Sequence, residues 1–388
     1  MGFHPLSIER GDKVKLKKNI IKVEVESSIH TEHVAKIGDF AEDYEVTYPS
    51  WEVTLPSEWS IIAIVGQSGV GKTGLLQKLK TYRPTKPVWN EKPVVEHIHS
   101  KPKMACKWLS CVGFNSMPSW LKKYSVLSMG ERYRVTCAWM LARFHTLYFD
   151  EYTSTLDRDT AMSLSNSLHK TIHRENKRMI VATCHKDVLE HLKPCYVIDL
   201  DKEQVFDTRG LDRQSTKTLE LVKCHRSYWN YFAPHHYLTG DIPQQTKTFL
   251  VKWKETGKII GFTSCQTLPS GTMQNAYICS RTVCLPQFQG MGMGIKINEL
   301  LAQYMVGQGK RYFVKTSHPV VGEYHEKSSN WRPTSKNKII RKDYNQKGDF
   351  FSSKNGRSDW EVNRIAYSHE YIGQSTWIDT RPVQLSLF

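Results

Sequence analysis

The stretch that decides the fold of the first half of the chain reads IIAIVGQSGVGKT, residues 61–73. Its first five residues, Ile61–Val65, form the continuous apolar run of a strand that is buried on both faces. The run then enters the pattern G-x-x-x-x-G-K-T at Gly66–Thr73, and a helical segment follows. A strand, a glycine-rich turn and a helix together present backbone N–H groups to a phosphate. The sequence therefore predicts an α/β domain that binds ATP.

The residues of this loop are expected to share the binding of ATP and Mg²⁺. Lys72 would reach the β- and γ-phosphates, and the hydroxyl of Thr73 would bind Mg²⁺. The glycines let the backbone approach the phosphates closely. The predicted nucleotide-binding residues are Gly66, Ser68, Gly69, Gly71, Lys72 and Thr73.

A second apolar run, His145–Phe149, ends in two carboxylates, Asp150 and Glu151. A strand that delivers Asp150 beside the loop would let this carboxylate hold the Mg²⁺ ion. Glu151 would then orient or deprotonate the attacking water, which makes it a predicted catalytic residue. Runs of this kind are common, so the prediction depends on the segments around it.

Three further segments have the order and approximate spacing of one family. Leu127-Ser-Met-Gly-Glu131 opens a helical stretch and resembles the LSGGQ signature of ABC-type ATPases. Ser154-Thr-Leu-Asp157 resembles the D-loop of that family, and Met179–His185 resembles its buried strand that ends in a switch histidine. The first half of the chain therefore resembles an ABC-type ATPase.

In ABC-type ATPases the signature of one subunit completes the nucleotide site of another. The resemblance implies that Ser128 and Gly130 contact ATP held by a partner, with Asp157 also at the nucleotide site. It also implies a catalytic, sensing role for His185 and a homodimer that forms on ATP binding. Ser128 equally suits a helix N-cap with Glu131 at the third position, and the two roles are compatible.

The sequence departs from the family between the loop and the signature. The family carries a glutamine there, yet no glutamine occurs between Gln77 and Gln204. Glu96 or His97 could substitute for it, and the sequence does not choose between them. Residues 82–126 are also short for the helical subdomain that couples transporters to their membrane helices, which argues against transport.

An aromatic side chain some twenty residues before the loop lysine usually stacks on the adenine in this family. Tyr48 is the best-placed candidate, and Tyr44 and Trp51 rank behind it. Each of the three could equally pack inside a strand, because Tyr44–Thr54 alternates as strands do.

The bulk properties of the 388 residues favour a cytoplasmic protein with a polyanionic partner. The net charge is +16, which suits phosphate contacts with DNA or RNA. No apolar run reaches eighteen residues, so we expect no membrane association, and the first residues lack a signal-peptide core. The nine cysteines are expected to be reduced, and most of them to be small buried residues.

The second half contains another strand, glycine-rich turn and helix. Thr248–Lys254 and Lys258–Cys265 alternate around a turn with Gly257, which predicts a hairpin. The strand-like Asn275–Leu285 then leads into a glycine-rich turn, and a helical pattern follows over Ile295–Val306. This geometry again suits a pyrophosphate held on backbone N–H groups. The predicted cofactor-binding residues of the turn are Gln289, Gly290, Gly292 and Gly294.

The turn resembles the Q/R-x-x-G-x-G/A coenzyme A loop of GNAT-type N-acetyltransferases, and the strand Arg311–Thr316 and helix Val320–Lys327 that follow fit their order. The resemblance implies acetyl-CoA or another acyl-CoA as donor. It also implies that Tyr324 is the catalytic acid for the departing thiolate. Glu323, His318 and His236 are candidates for the base. An ordinary second nucleotide-binding or packing loop is the alternative explanation of the turn.

Two stretches of the second half look specialised for nucleic acid. Residues 228–238 are dense in aromatics and histidines, and residues 327–347 carry seven basic side chains against one acidic one, with Trp331 and Tyr344 between them. Aromatic platforms with basic neighbours suit an unstacked base and its phosphates. A solvated basic loop with core aromatics is the alternative interpretation.

Together these features predict an α/β chain with an ABC-type P-loop ATPase domain at residues 1–210 and an α+β GNAT-like acyltransferase domain at residues 217–388. We place the linker near residues 210–216, where polarity rises. The leading hypothesis is an ATP-hydrolysing acyltransferase that modifies an amino group on a nucleic-acid base. Faint similarity to the phage Mom-type DNA-modification enzymes supports that substrate. The alternatives are an ATP-regulated protein or small-amine acetyltransferase and a non-catalytic, ATP-dependent DNA clamp.

Overall fold

The computed structural model describes residues 15–38, 45–82, 85–209, 218–236, 241–268, 273–341 and 364–375. The chain divides into two compact units, Met1–Ser215 and Thr216–Phe388. The proposed linker, Tyr44 and Tyr344 lie outside the described residues. No helix in the described ranges is both long and apolar enough to cross a bilayer.

The described part of the first unit alternates strands and helices. Its strands are β1 (Lys15–Glu24), β2 (Glu45–Thr54), β3 (Ile61–Val65), β4 (Thr146–Phe149), β5 (Arg178–Thr183), β6 (Tyr196–Asp199) and β7 (Gln204–Asp207). Its helices are α1 (Ile29–Gly38), α2 (Lys72–Leu79), α3 (Val94–Ile98), α4 (Pro102–Cys111), α5 (Met117–Trp120), α6 (Met129–Arg143), α7 (Arg158–Arg174) and α8 (Leu189–Leu192).

Five of these strands form one sheet, in the order β4-β5-β3-β6-β7. The central strand β3 is parallel to β5 and β6, and only β7 runs antiparallel. All of β3 is buried: Ile61 and Val65 belong to one apolar cluster, whereas Ile62 and Ile64 face another that includes Trp51. This confirms the predicted strand buried on both faces and the α/β class of the first unit.

The described part of the second unit is a mostly antiparallel sheet with a few helices. Its strands are β8 (Leu219–Lys223), β9 (Lys247–Trp253), β10 (Ile259–Thr267), β11 (Ala276–Cys284), β12 (Arg311–Thr316), β13 (Trp331–Pro333), β14 (Ile339–Arg341) and β15 (Arg364–Tyr371). Its helices are α9 (Trp229–Phe232), α10 (Met293–Gly307) and α11 (Pro319–Lys327). The main order is β13-β15-β12-β11-β10-β9-β8, and β14 pairs with β15.

The pairing of β11 with β12 shapes the middle of this sheet. It is parallel and covers only Ala276–Ile278 against Arg311–Phe313, although β11 continues to Cys284. On the other edge of β11 the register with β10 shifts between Ser264 and Cys265, which leaves Ser280 out of the ladder. Such a bulge bends a strand. The two strands therefore pair at their amino ends only and leave the ladder open towards the glycine-rich turn.

The cysteines correct one expectation. All nine are free thiols, but only Cys137 and Cys265 are buried, while Cys184 is exposed and the others are half-buried. The expectation that most are small buried residues was therefore wrong. Composition cannot distinguish a cysteine at the rim of a core from one inside it.

Helix α11 packs closely on β15 because one of its residues has no side chain. A Cβ atom added to Gly322 would lie 2.2 Å from Cδ2 of Tyr367, a separation that side-chain atoms do not adopt. The ring of Tyr367 therefore occupies the place that any other residue at position 322 would need.

We expect Gly322→Ala to lower the free energy of unfolding of the second unit by about 1–3 kcal/mol, because the methyl group overpacks the contact with Tyr367. Denaturant unfolding, with hydrogen exchange of residues 319–333, measures the loss. Gly294→Ala is the matched control: its added Cβ meets nothing within 4 Å, and alanine is the better helix former by about 0.5–1 kcal/mol. Equal stability of the two variants would contradict the close packing.

Candidate functional site

The loop between β3 and α2 is held by the side chain that follows it. The ammonium of Lys72 is buried and donates to the carbonyls of Gly66 (2.9 Å) and Gln67 (2.6 Å). Gly71 adopts a φ of 97°, in the left-handed region that favours glycine. With two carbonyls turned towards Lys72, the loop is a cradle at the amino end of α2, where backbone N–H groups lack helical partners.

Trp51 on β2 packs against the loop. It is 2% exposed and its indole N–H donates to the carbonyl of Val70 at 2.8 Å. A Cβ at Gly71 would come within 3.1 Å of the Trp51 Nε1. Trp51 is thus a packing residue, whereas Tyr48 on the same strand is 56% exposed. Of the described aromatic candidates, Tyr48 is the one whose ring is free to meet a base.

The two predicted metal ligands lie together at the carboxyl edge of the sheet. The hydroxyl of Thr73 donates to Oδ1 of Asp150 at 3.1 Å. Both groups offer hard oxygen atoms, the ligands that Mg²⁺ prefers, so these residues fit such an ion. Glu151 follows Asp150 with an exposed side chain and a φ of 48°, and its carbonyl accepts from the hydroxyl of Ser154. Glu151 therefore lies just beyond β4, with its side chain exposed.

His185 lies just beyond β5, the strand between β3 and β4 in the sheet. Its backbone N–H donates to the hydroxyl of Thr183, which itself donates to the carbonyl of Tyr152. Two hydrogen bonds therefore join the histidine to the residue after Glu151. The structure brings Thr73, Asp150, Glu151 and His185 to the same edge of the sheet.

The sequence did not predict one ionic contact at this edge. Arg158, next to Asp157, binds both carboxylate oxygens of Asp187 at 2.6 and 2.8 Å. Asp157 itself caps α7 by accepting from the N–H of Thr160. The sequence does show a basic residue, Arg158, beside the D-loop and an acidic residue, Asp187, two positions after the histidine. Because 29 positions separate the two, no local pattern predicts that they form a pair.

A second network joins the histidine segment to the phosphate loop. Lys186 pairs with the buried carboxylate of Asp199 at 3.0 Å and lies 3.8 Å from Asp201. Asp201 in turn accepts from the N–H of Gln67 at 2.9 Å. The ends of β3, β5 and β6 are thus joined by polar contacts.

The signature residues begin α6. The hydroxyl of Ser128 accepts from the N–H of Glu131, whose side chain accepts from the N–H of Ser128, so a complete capping box is present. A Cβ at Gly130 would lie 3.3 Å from Thr160, which shows how closely α6 approaches α7 there. Among the described residues no hydrogen bond joins Ser128 or Gly130 to the phosphate loop of the same chain.

The two candidates for the missing glutamine lie on the short helix α3. The carbonyl of His97 accepts from the guanidinium of Arg143 at 2.9 Å, and its ring lies against Trp89. Glu96 is exposed, 3.9 Å from the ammonium of Lys92. Neither has a hydrogen bond to the phosphate loop within the described ranges, so the structure does not choose between them.

In the second unit the glycine-rich turn lies where β11 ends and α10 begins. Gly292 caps α10 with a φ of 79°, and Gly290 has a φ of 88°. The side-chain amide of Gln289 donates to the carbonyl of Cys284 and so ties the turn to the strand. Cβ atoms placed on Gly292 or Gly294 would meet nothing within 4 Å. The backbone N–H groups of the first turn of α10 are therefore open to a ligand.

Tyr324 projects from α11 towards α10. Its hydroxyl donates to Oε1 of Glu299 at 2.8 Å, and the indole of Trp331 donates to the same oxygen at 3.3 Å. Burial and the hydrogen bond to Glu299 raise the pKa of Tyr324. The phenol therefore keeps its proton at neutral pH. Glu299, which has no recognisable motif, was not predicted.

The three candidate bases lie in different places. His318 caps α11, its Nδ1 is buried without a partner among the described residues, and burial lowers its pKa. Glu323 is exposed on α11, and His236 lies against the ring of Trp229. His318 has the lowered pKa that a neutral base needs.

The prediction that the aromatic side chains of these two stretches form exposed platforms for nucleic-acid bases is largely wrong. Trp331 is 4% exposed, and Trp229 and Phe232 are buried in the same apolar cluster, while Tyr231 is 61% exposed. They are core residues because the sheet of this unit needs large side chains to cover it, and composition alone cannot separate the two uses. Tyr231 alone of the described aromatic side chains in these stretches keeps an exposed ring.

The basic stretch is also partly neutralised. Lys338 pairs with Glu326 at 2.8 Å, and Arg332 pairs with Glu370 at 2.7 Å. These pairs join α11 and β13 to their neighbours instead of leaving the charges for a ligand. Lys342 and Lys347 lie outside the described residues.

Two histidines are buried beneath α11. His325 and His369 are fully buried with ring centroids 5.5 Å apart, and neither ring nitrogen of His325 has a partner among the described residues. His369 contacts Glu326 at 2.9 Å, which Lys338 also binds. Burial, together with His369, lowers the pKa of His325 to about 4, and burial lowers the pKa of His369 as well.

Because an unfolded histidine titrates near pH 6.5, the folded chain binds fewer protons here than the unfolded chain. The free energy of unfolding should therefore be highest above about pH 6.5 and fall as the pH drops towards 4, by roughly 3 kcal/mol for His325. Unfolding of wild type and His325→Phe at pH 7.5 and 5 measures this, with the exposed His33→Phe as control. We expect a smaller loss in His325→Phe alone, and equal losses in all three proteins would contradict the assignment.

Comparison with known proteins gives a family match within the second unit. Residues 218–327 match the model of the acetyltransferase (GNAT) family. No curated protein sequence matches the chain significantly. A dimeric ATP-binding cassette bound to ADP and Pi is 17% identical, with a TM-score of 0.36, over 51% of this chain and 100% of that chain. A part of an ABC transporter complex from Clostridium perfringens is 18% identical, with a TM-score of 0.31, over 38% and 75%.

A structure from Desulfovibrio desulfuricans assigned to the GNAT family is 13% identical to the chain, with a TM-score of 0.22, over 32% of this chain and 67% of that chain. The phosphate loop, Asp150, Glu151 and His185 of the first unit lie at one edge of its mostly parallel sheet, and the family match covers the glycine-rich turn of the second unit. Residues 218–327 of the second unit are therefore similar to the acetyltransferase (GNAT) family, and the first unit carries the ordered motifs that resemble those of an ABC-type ATPase.

Proposed function

We propose that this chain is an ATP-hydrolysing acyltransferase, with the ATPase in residues 1–210 and the acyltransferase in residues 217–388, and that its acceptor is an amino group on a nucleic-acid base. The observation that carries the proposal is the presence of two separate strand, glycine turn and helix sites, one around Lys72 and one around Gly292. Each is built to hold a phosphate-bearing ligand on backbone N–H groups.

The first site is assigned to ATP and Mg²⁺. Thr73 and Asp150, 3.1 Å apart, would hold the ion, and Lys72 would leave its loop carbonyls to meet the β- and γ-phosphates. Mg²⁺ would supply charge neutralisation at the phosphates. The exposed carboxylate of Glu151 would orient the attacking water, and His185 would sense the γ-phosphate.

The signature supports a site completed by a second copy. Ser128 and Gly130 have no hydrogen bond to the phosphate loop of their own chain within the described ranges. They begin a helix, whose N–H groups suit a phosphate. We infer that they face ATP held by the partner subunit, so that ATP binding drives dimerisation.

Glu151→Gln should slow ATP hydrolysis by about 10²–10⁴-fold, because the water loses its carboxylate, and should trap the ATP-bound dimer. Phosphate release and light scattering with Mg-ATP measure the two effects. Glu58→Gln, at an exposed position, is the matched control and should behave as wild type. Wild-type turnover in Glu151→Gln would count against the assignment of Glu151, and a monomer under all conditions would count against the shared site.

The second site is assigned to an acyl-CoA, whose thioester supplies the acyl group. The turn at Gly290–Gly294 would hold its pyrophosphate on the first N–H groups of α10. Transfer forms a bond between the acceptor nitrogen and the acyl carbon and breaks the bond from that carbon to sulfur. The acceptor nitrogen loses a proton, for which His318 is our candidate base, and Tyr324 would give a proton to the departing sulfur.

Charge and composition support a nucleic-acid acceptor over a small amine. A net charge of +16 favours a polyanion through counterion release. The exposed ring of Tyr231 offers a surface for a base. ATP binding would then clamp or remodel the nucleic acid while the second unit acts on it.

Cells that express the wild-type chain should contain an acylated nucleoside in DNA or RNA, and cells that express Tyr324→Phe should contain much less of it, because the variant cannot protonate the leaving group. Nucleoside mass spectrometry measures both. Calorimetry should find acyl-CoA binding retained in the variant, since its turn is intact. Unmodified DNA and RNA in the wild-type cells would contradict a nucleic-acid acceptor. Absent acyl-CoA binding, with DNA-stimulated ATP hydrolysis, would instead favour the clamp.

A further inference from the structure

Two lysines meet over one tyrosine at the end of the second sheet opposite the glycine-rich turn. Lys247 begins β9, Tyr277 lies near the start of β11, and Lys310 directly precedes β12. The ammonium of Lys247 lies 4.5 Å from the centre of the Tyr277 ring and 3.3 Å from its hydroxyl. The ammonium of Lys310 lies 5.2 Å from the same ring centre. We call these three residues the lysine–tyrosine cluster.

The charges of this cluster are not neutralised by acids. Within the described ranges, neither Lys247 nor Lys310 has an ion pair with a carboxylate, and Lys310 donates instead to the side-chain oxygen of Gln308 at 2.7 Å. Lys252, on the same strand as Lys247, shows the contrast, because it pairs with Glu220 at 3.2 Å. Burial and then the neighbouring Lys247 lower the pKa of Lys310. The cluster therefore concentrates positive charge that an anion would relieve.

The face of the Tyr277 ring explains how the two ammonium groups come together without an acid. The face of an aromatic ring is electron-rich and attracts a cation by about 0.5–1 kcal/mol at an exposed site. Two cations on one ring share that attraction and repel each other. A bound phosphate oxygen would remove the repulsion and accept hydrogen bonds from both groups.

We propose that the lysine–tyrosine cluster binds the phosphodiester backbone of the nucleic acid at a distance from the reacting base. This inference rests on the nucleic-acid acceptor proposed above. From Tyr277 to Cys284, where β11 ends, seven residue steps of about 3.3 Å separate the cluster by about 23 Å from the segment that leads into the glycine-rich turn. That span matches roughly seven base-pair steps at 3.4 Å. A polynucleotide reaches both places at once, whereas a small amine reaches one.

The test compares two double variants that remove the same charge. K247Q/K310Q removes the unpaired lysines of the cluster. K107Q/K252Q removes lysines that are already paired with Glu175 and Glu220. Fluorescence anisotropy with a labelled 20-nucleotide single strand, from 50 to 200 mM salt, gives the affinity and its salt dependence for each full-length protein.

We expect K247Q/K310Q to bind about tenfold more weakly than K107Q/K252Q, with a slope of log affinity against log salt that is smaller by about 1.4, the value for two lost contacts on a single strand. K247R/K310R should restore both values, which a merely structural role of lysine would not do. Thermal unfolding of each variant separates lost binding from lost folding.

Each other outcome overturns a defined part of the argument. Equal affinity and slope in the two double variants would reject the cluster as a phosphodiester site and leave the nucleic-acid acceptor standing. No binding of the strand by wild type at 50 mM salt would reject both. Displacement of the strand by a polyglutamate peptide, but not by unlabelled nucleic acid, would assign the cluster to an acidic protein instead.

Discussion

The buried ammonium of Lys72 is the interaction on which the nucleotide site of the first unit depends. Its hydrogen bonds to the carbonyls of Gly66 and Gln67 turn these oxygens inward, and a buried charge needs such partners. Trp51 holds the rest of the loop. Its indole donates to the carbonyl of Val70, and its ring lies about where a side chain at Gly71 would be. The loop is therefore shaped before a nucleotide arrives, and Lys72 would exchange its two loop carbonyls for the phosphates on binding.

The second unit also places a glycine-rich turn between a strand and a helix, but on a different sheet. In both units a strand ends in a glycine of positive φ that begins a helix, at Gly71 and at Gly292. The strand of the first unit is paired along both edges, so its site opens only beyond the sheet. β11 leaves β12 after three residue pairs, and the bulge at Ser280 bends it further. That divergence would give the proposed acyl-CoA room to enter between two strands of one sheet.

The elements that could be predicted from the sequence are those that a local residue pattern encodes. The strands at Ile61–Val65 and Arg311–Thr316 and the helix that begins at the signature were predicted because apolar runs, glycines and caps act over a few residues. The contacts that organise the sites join distant positions, as Arg158 with Asp187 and Tyr324 with Glu299 do, 29 and 25 positions apart. Trp331 was misinterpreted as a platform because a core tryptophan and an exposed one have the same local sequence.

The polar contacts at the edge of the first sheet bear on how hydrolysis could be communicated. From Gln67 the chain of contacts runs through Asp201 and Lys186 to the histidine segment. From there Thr183 connects to the carbonyl of Tyr152, one residue after the carboxylate assigned to the attacking water. The segment around His185 is therefore joined by polar contacts both to the phosphate loop and to the residue after Glu151. A γ-phosphate that moved His185 would strain both connections. Because packed and hydrogen-bonded edges switch between discrete arrangements more readily than they deform, loss of the phosphate would release the segments together.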